Sequence, residues 1–362
     1  MNLKQSMAAL LWASMVVLGE RTLEPRPVAD PFEVFTIMVD NITAKFIPYG
    51  ARLISLHVPD KEGTPQDVVV GYEDPVQYLN DTQTSHTYFG AVIGRIANRM
   101  KNGSFTLGGT EYNIPKNHDG LYTLHGGNAG YDQRNWTVTA HTSSSVTFAL
   151  YDNTAEGFPG DIVTHATYTV DSKRTTDNPQ GSPRLVTELV SLALTESTPI
   201  MPSNHIYWNL NAFKQPTILD DTWLQLPLSR RFIETDSNQI PTGVIATVED
   251  SDHSSMDFTV GKTIGQDIQY TEGLVPALRL DSSNTGISME VATNQPSVQV
   301  FTCLNMDGTI PVKPSQEERN QKDKEAAEFV KKYGSLAIEP EGWIDSINIL
   351  TINYATYTFG TI

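Results

Sequence analysis

A mostly antiparallel β architecture is the fold class this sequence predicts, on three observations. Alternating runs rich in Val, Ile, Thr, Tyr and Phe recur along the chain, and clusters of Gly, Pro, Asn and Asp separate them. Only one stretch carries a helical signature. The 362 residues suit one large β-sandwich or two smaller units, and 39% hydrophobic residues are enough for a core. A mean hydropathy of -0.28 fits a protein folded in water.

Taken in order, the chain opens with Met7 to Gly19, a 13-residue run broken only by Ser14. It is too short to span a bilayer and suits the apolar segment of a signal peptide, so residues 1–19 are expected to be one. Residues 20–31, with Pro25, Pro27 and Pro31, form an extended leader. With no internal repeat or linker, residues 32–362 read as a single domain. Strands are expected over Glu33 to Val39, Ala51 to Val58, Ser145 to Tyr151, Thr164 to Val170, Arg184 to Leu194, Ile287 to Ala292, Ser297 to Leu304 and Ile347 to Phe359. Ser172 to Pro183 is polar and reads as a surface loop. Ser315 and Glu318 form a capping box for a helix over 315–333, with Gly334 as its stop.

Twenty-five basic residues against 42 acidic ones give a net charge of -17, which repels nucleic acid, anionic lipid and phosphorylated substrates. Four N-x-[ST] sequons, at Asn41, Asn80, Asn102 and Asn135, fit export to a glycosylating compartment. The single cysteine, Cys303, excludes an internal disulfide framework and lies in an apolar run that suits packing. No pair among the eight histidines has metal-ligand spacing. The Gly261-Lys262-Thr263 triplet lacks the first glycine of a phosphate loop, since Met256 holds that place.

Polar clusters in glycine-bearing sequence carry the functional signal. Thr198 to Leu210 sets His205 between amides and beside Tyr207 and Trp208, where a group titrating near neutrality suits acid or base chemistry on a polar ring. A core histidine satisfied by its neighbours is the alternative. Gly94 to Arg99 holds two guanidinium groups and Asn98, fit for hydroxyl recognition or for structural ion pairing. His125 precedes Gly126 and Gly127, which allow close approach of the backbone to a ligand or simply a turn. Glu339 places a carboxylate in an apolar strand, where burial is costly without a purpose or a partner.

In this order, Tyr88-Phe89-Gly90-Ala91, the Gly94 to Met100 segment, Leu124-His125-Gly126-Gly127, Glu156 to Gly160, Asn204 to Leu210, Pro296-Ser297-Val298-Gln299 and Glu339-Pro340 resemble the aldose 1-epimerase (galactose mutarotase) family. The likeness runs from about Phe32 to the C-terminus. It implies an all-β fold, a large antiparallel β-supersandwich with an open cleft for a pyranose. It also implies roles: His205 as general acid toward the ring oxygen O5, Glu339 as general base toward the C1 hydroxyl, and His125 as a second histidine near the ring oxygen. Asn98, Arg99 and Gln299 match sugar-binding positions, and Tyr207, in the His205 motif, is expected to bind substrate with them. The implied activity interconverts α and β anomers of a free aldose. Ring opening needs one acid and one base, both with pKa values not far from neutral. The implied partner is a small monosaccharide, with no cofactor, no metal, no nucleic acid and, after processing, no membrane.

Two departures bear on the choice of sugar. Where the family carries a sugar-binding aspartate ahead of its late strands, this chain reads Gly273-Leu274-Val275-Pro276, with Val275 in that place. The glutamine that follows the family's Glu-Pro is Glu341, whose charge would raise the pKa of Glu339 at close range. Galactose preference is therefore not expected to carry over automatically. A non-catalytic carbohydrate-binding protein, a sugar-phosphate epimerase and a polysaccharide lyase or hydrolase are the competing readings.

Overall fold

A meander of four short strands opens the fold: β1 (Phe35–Val39), β2 (Ile42–Ile47), β3 (Arg52–Pro59) and β4 (Pro65–Asp67) pair in that order. The computed structural model describes residues 30–174, 178, 181–227, 230–249, 255, 257–264, 271–273, 277–295, 297–323, 325–342 and 350–362. The expected signal peptide, the leader up to residue 29, Val275, Pro296 and residues 347–349 lie outside them.

After helix α1 (Gln77–Gln83) come β5 (Ala91–Ile93), β6 (Arg99–Met100) and β7 (Thr123–Leu124). A long meander follows, β8 (Thr137–His141), β9 (Ser145–Asn153), β10 (Asp161–Lys173) and β11 (Ser182–Ala193). Burial alternates residue by residue along β9 and β10, the signature of strands with one face on a core. Then come β12 (Ser203–Trp208), β13 (Thr222–Gln225), β14 (Lys262–Thr263), β15 (Thr271–Gly273), β16 (Ala277–Ser282), β17 (Ile287–Thr293), β18 (Ser297–Phe301), helix α2 (Pro314–Asn320), β19 (Leu336–Glu341) and β20 (Leu350–Thr361). A nine-stranded sheet has the order β8-β9-β10-β11-β20-β17-β16-β13-β14, and a five-stranded sheet the order β15-β18-β19-β12-β5. Every pairing among these strands is antiparallel.

The main core lies where the nine-stranded sheet covers the smaller ones. Phe148, Tyr168, Leu189, Met289 and Tyr357 from the large sheet cluster with Phe46, Leu56, Ile206, Trp208 and Ile338. The Phe46 and Tyr168 rings are 4.4 Å apart between centroids, and those of Trp208 and Tyr357 4.8 Å. Each such side chain removed from water contributes about 1.5–3 kcal/mol. The expected all-β sandwich is therefore the observed architecture, and the expected strands fall on observed ones.

Three local expectations are corrected. The sequence reading expected one helix, and α1 at Gln77–Gln83 is a second. The helix over 315–333 is a single short element, α2, ending at Asn320. Its cap lies two residues earlier than expected: Pro314 holds the first turn, and the Gln316 side chain accepts from the Lys313 backbone N–H at 3.3 Å. Beyond it, tertiary contacts override the helical composition: Phe329–Lys331 pairs as a strand with Asp307–Pro311, burying Val330 and Ala327. The polar stretch 172–183 is also shorter as a loop, because β10 and β11 extend their pairing to Lys173 and Ser182. Cys303 is buried as expected, with the Ser335 hydroxyl 3.0 Å from its sulfur.

Candidate active site

Period-two alternation sorts the segment around His205. In β12, Ile206 and Trp208 join the main core, and Asn204 accepts the Tyr168 hydroxyl at 2.7 Å from the opposing sheet. His205 and Tyr207 consequently face the other way, into a cavity of about 700 Å³. The neighbouring strands supply the rest of one row. Gln299 on β18 stands opposite Glu339 on β19. The Ile206 to Ile338 pairing of β12 with β19, extended by one residue pair, sets His205 opposite Glu339. Their side chains meet: His205 Nε2 lies 3.2 Å from Glu339 Oε1, with the two side chains 5% and 3% exposed.

His125 completes the group from the loop after β7. Nitrogen and oxygen atoms of His125, His205 and Glu339 all lie within 4.8 Å of one another, and the two imidazole centroids are 5.1 Å apart. Asn98 holds His125 twice: its backbone N–H donates to His125 Nδ1 at 3.1 Å, and its carbonyl accepts the His125 N–H at 3.0 Å. The first bond fixes the tautomer. With Nδ1 accepting, the neutral ring carries its proton on Nε2, a donor. The same bond weighs against a resident metal on this trio, because a ligating imidazole nitrogen must be unprotonated and the His125 nitrogen left over is not.

Burial controls the electrostatics. It pushes the His205 pKa down to about 3, with Arg52 and His86 adding repulsion. Burial also holds His125 well below its ordinary value, aided by His205 and Arg99. The free site therefore departs from the near-neutral histidine expected from sequence: both rings are desolvated and neutral at pH 7. His205 Nδ1 has no hydrogen-bond partner among the described residues. The Tyr207 phenol is pushed far up by burial and stays protonated.

All seven side chains singled out from sequence, Asn98, Arg99, His125, His205, Tyr207, Gln299 and Glu339, line this one cavity. Asn98 ties them together, since its Nδ2 donates to Gln299 Oε1 at 3.1 Å and to Glu341 Oε1 at 3.0 Å. Glu341 is buried one step along the same face from Glu339 and is held through that amide. The two arginines of the Gly94 to Met100 segment divide the two readings between them. Arg95 is a structural ion pair, its Nε and NH2 reaching Asp152 Oδ2 at 3.0 and 2.8 Å. Arg99 faces the cavity, where it donates to Asn98 Oδ1 and to Gln239 Oε1.

Of the two readings open for the glycines after His125, the structure shows the turn. A side chain at Gly126 would strike the Gly94 carbonyl, and one at Gly127 would strike Glu156. Their bareness serves backbone packing rather than approach to a ligand. Glu156 in turn accepts the N–H groups of Asn128 and Ala129 at 2.7 and 3.1 Å, clamping the loop that carries His125.

Of the cavity residues that sequence reasoning did not single out, three touch the site's own side chains or their neighbours. Tyr88 packs edge-on to His125, with centroids 4.7 Å apart, and lies 5.6 Å from the His205 ring. His86 stacks on Tyr88 and bonds Asp132 Oδ2 at 2.9 Å. Gln239 arrives from the hairpin of Arg231–Thr235 and Pro241–Thr247. Only Tyr88 left a trace, inside a quoted motif. The other two stand in unpatterned loops, and only the folded chain brings them near the site.

Comparison with known proteins agrees with this geometry. The aldose 1-epimerase family pattern matches residues 33–353. A protein of Arthroderma benhamiae described as a probable aldose 1-epimerase is 47% identical, over 91% of this chain and 87% of its own. The galactose mutarotase of Mus musculus is 31% identical over 87% of each chain. Among solved structures, a GalM/aldose epimerase homologue from C. elegans superposes with a TM-score of 0.76 at 26% identity, covering 91% of this chain and 99% of that one. With the match spanning nearly all of the folded chain, this protein belongs to the aldose 1-epimerase family.

Proposed function

We propose that this protein is a cofactor-independent isomerase that interconverts the α and β anomers of a free aldose. The observation that carries the reading is the buried His205–Glu339 contact of 3.2 Å facing a cavity with polar walls. Opening a hemiacetal requires a proton delivered to O5 while another leaves O1. One proton shared by His205 and Glu339 suffices. Carried on His205 Nε2, it passes to O5 as Glu339 takes the O1 proton, and the C1–O5 bond breaks to give the open aldehyde. Rotation about C1–C2 and the reverse transfers close the ring on the other face.

The depressed pKa of His205 makes its imidazolium a strong acid toward a weakly basic ring oxygen. The adjacent Glu339 carboxylate offsets the cost of forming that cation. His125 is a fixed donor from Nε2, suited to a ring oxygen or hydroxyl. Asn98, Arg99 and Gln299 supply amide and guanidinium groups for the remaining hydroxyls.

Polarimetry on freshly dissolved α-glucose and α-galactose, comparing wild type with Glu339→Gln, tests the assignment. No acceleration over buffer for any aldose would leave a carbohydrate-binding protein on the same scaffold. A preference for glucose 6-phosphate over glucose would instead favour a sugar-phosphate epimerase, against which the charge of -17 argues.

We also infer export through a glycosylating route. The apolar run from Met7 to Gly19 supports it, and so do four sequons whose asparagines, Asn41, Asn80, Asn102 and Asn135, are all exposed. Expression in a yeast host should yield secreted protein whose mass falls on treatment with peptide N-glycosidase; intracellular, unglycosylated product would refute the inference.

A further inference from the structure

Gln239 enters the cavity from outside the strands that carry the acid and base. It occupies the turn between Arg231–Thr235 and Pro241–Thr247, with φ of 61°, a left-handed conformation unusual for a side chain of its size. The turn is tied down locally, because Asp236 Oδ1 accepts the N–H groups of Asn238 and Ile240 at 2.8 and 3.1 Å. This delivers the Gln239 amide to Arg99, one of the guanidinium groups lining the cavity.

The partner fixes which end of the amide is engaged. An arginine has only donors, so the oxygen Oε1 must face it and the Nε2 group remains available. No bond to Nε2 occurs among the described residues. The Arg99 side chain is itself oriented from the other side by Asn98 Oδ1 at 3.1 Å. Arg99 and Gln239 thus form one wall that offers only donors to a ligand: guanidinium N–H groups and one amide NH2.

We propose that Gln239 is a specificity-determining residue for the aldose, donating from Nε2 to the hydroxyl oxygen that also meets Arg99. This rests on the reading of the site as a mutarotase. Sugars that differ in the orientation of a single hydroxyl are then ranked by whether that oxygen reaches Gln239.

Steady-state mutarotation of α-glucose, α-galactose and α-xylose by wild type, Gln239→Ala and Gln239→Glu tests the proposal. Gln239→Ala should raise KM about 10-fold for the preferred sugar, the worth of one hydrogen bond. Its effect on a sugar lacking that contact should be small, so the ratio of kcat/KM between sugars changes. Gln239→Glu keeps the acceptor for Arg99 but replaces the donor, and should not restore the wild-type ratio. An equal KM rise for all three sugars, rescued by Gln239→Glu, would reduce Gln239 to a support for Arg99 and overturn the proposal; unchanged kinetics would overturn it too. If wild type fails to accelerate anomerisation, the mutarotase reading falls, and calorimetric binding of the same sugars still decides whether Gln239 discriminates among them.

Discussion

Arg95 and Arg99 lie four residues apart and end in opposite circumstances. Every guanidinium nitrogen of Arg95 is engaged: Nε and NH2 by Asp152, and NH1 by the carbonyls of Pro159 and Gly160 and the Thr198 hydroxyl. Among the described residues the buried Nε of Arg99 meets no partner, and its other nitrogens lean on two cavity amides. The same contrast separates the structural cluster around Lys313, whose ammonium meets Asp67 and two carbonyls, from the cavity, where His205 Nδ1 is unpartnered among the described residues. In these two pairs the group that builds the fold is saturated, whereas the group that faces the cavity is held but left incomplete among the described residues.

The largest effect should come from the unsaturated side. Glu339→Gln should lower kcat for anomerisation by roughly 10²- to 10⁴-fold, the usual contribution of a general base, with little change in melting temperature. Polarimetry beside a thermal melt reads both, and a loss of activity explained by unfolding would erase the contrast. Arg95→Ala should do the reverse, costing about 3–5 kcal/mol of stability because Asp152 is left buried and unpaired. Urea denaturation of Arg95→Ala against Arg99→Ala tests this directly, and equal destabilisation would break the comparison.

The pH dependence of stability is the next test. The folded His205 pKa of about 3 is below the unfolded value near 6.5, so unfolding takes up a proton between those limits. The stability this represents is complete above the unfolded pKa and is lost as pH falls toward 3. Between pH 7 and 5 the loss from His205 alone should be about 2 kcal/mol. His205→Asn should flatten that slope in urea titrations at pH 7 and pH 5; an unaltered slope would show that His205 is not buried in its neutral form. The smallest expected effect is that of Arg99→Lys, a KM rise of roughly 10-fold with stability within about 1 kcal/mol of wild type.

The comparison also shows what could be read in advance. Strands were legible because period-two burial repeats in residue types, and His205, Glu339 and His125 because each stands in a local motif. The division between Arg95 and Arg99 was not, since both share one segment and only the partner Asp152, 57 residues away in sequence, tells them apart. Gln239 and His86 left no mark because their roles arise from contacts with distant residues, Arg99 and Asp132. The helix expected over 315–333 stops at Asn320 for the same reason, since pairing of Phe329–Lys331 with Asp307–Pro311 outweighs local propensity.

The row of Gln299, Glu339 and His205 lies across three adjacent strands, so backbone register sets the spacing of acid and base. Arg99 and Gln239, by contrast, meet from a two-residue strand and a hairpin turn. Reaction chemistry and sugar choice are thereby inherited through separate parts of the chain. Insertions and substitutions in the loops can retune which aldose is accepted while the proton-transfer geometry stays locked in the sheet.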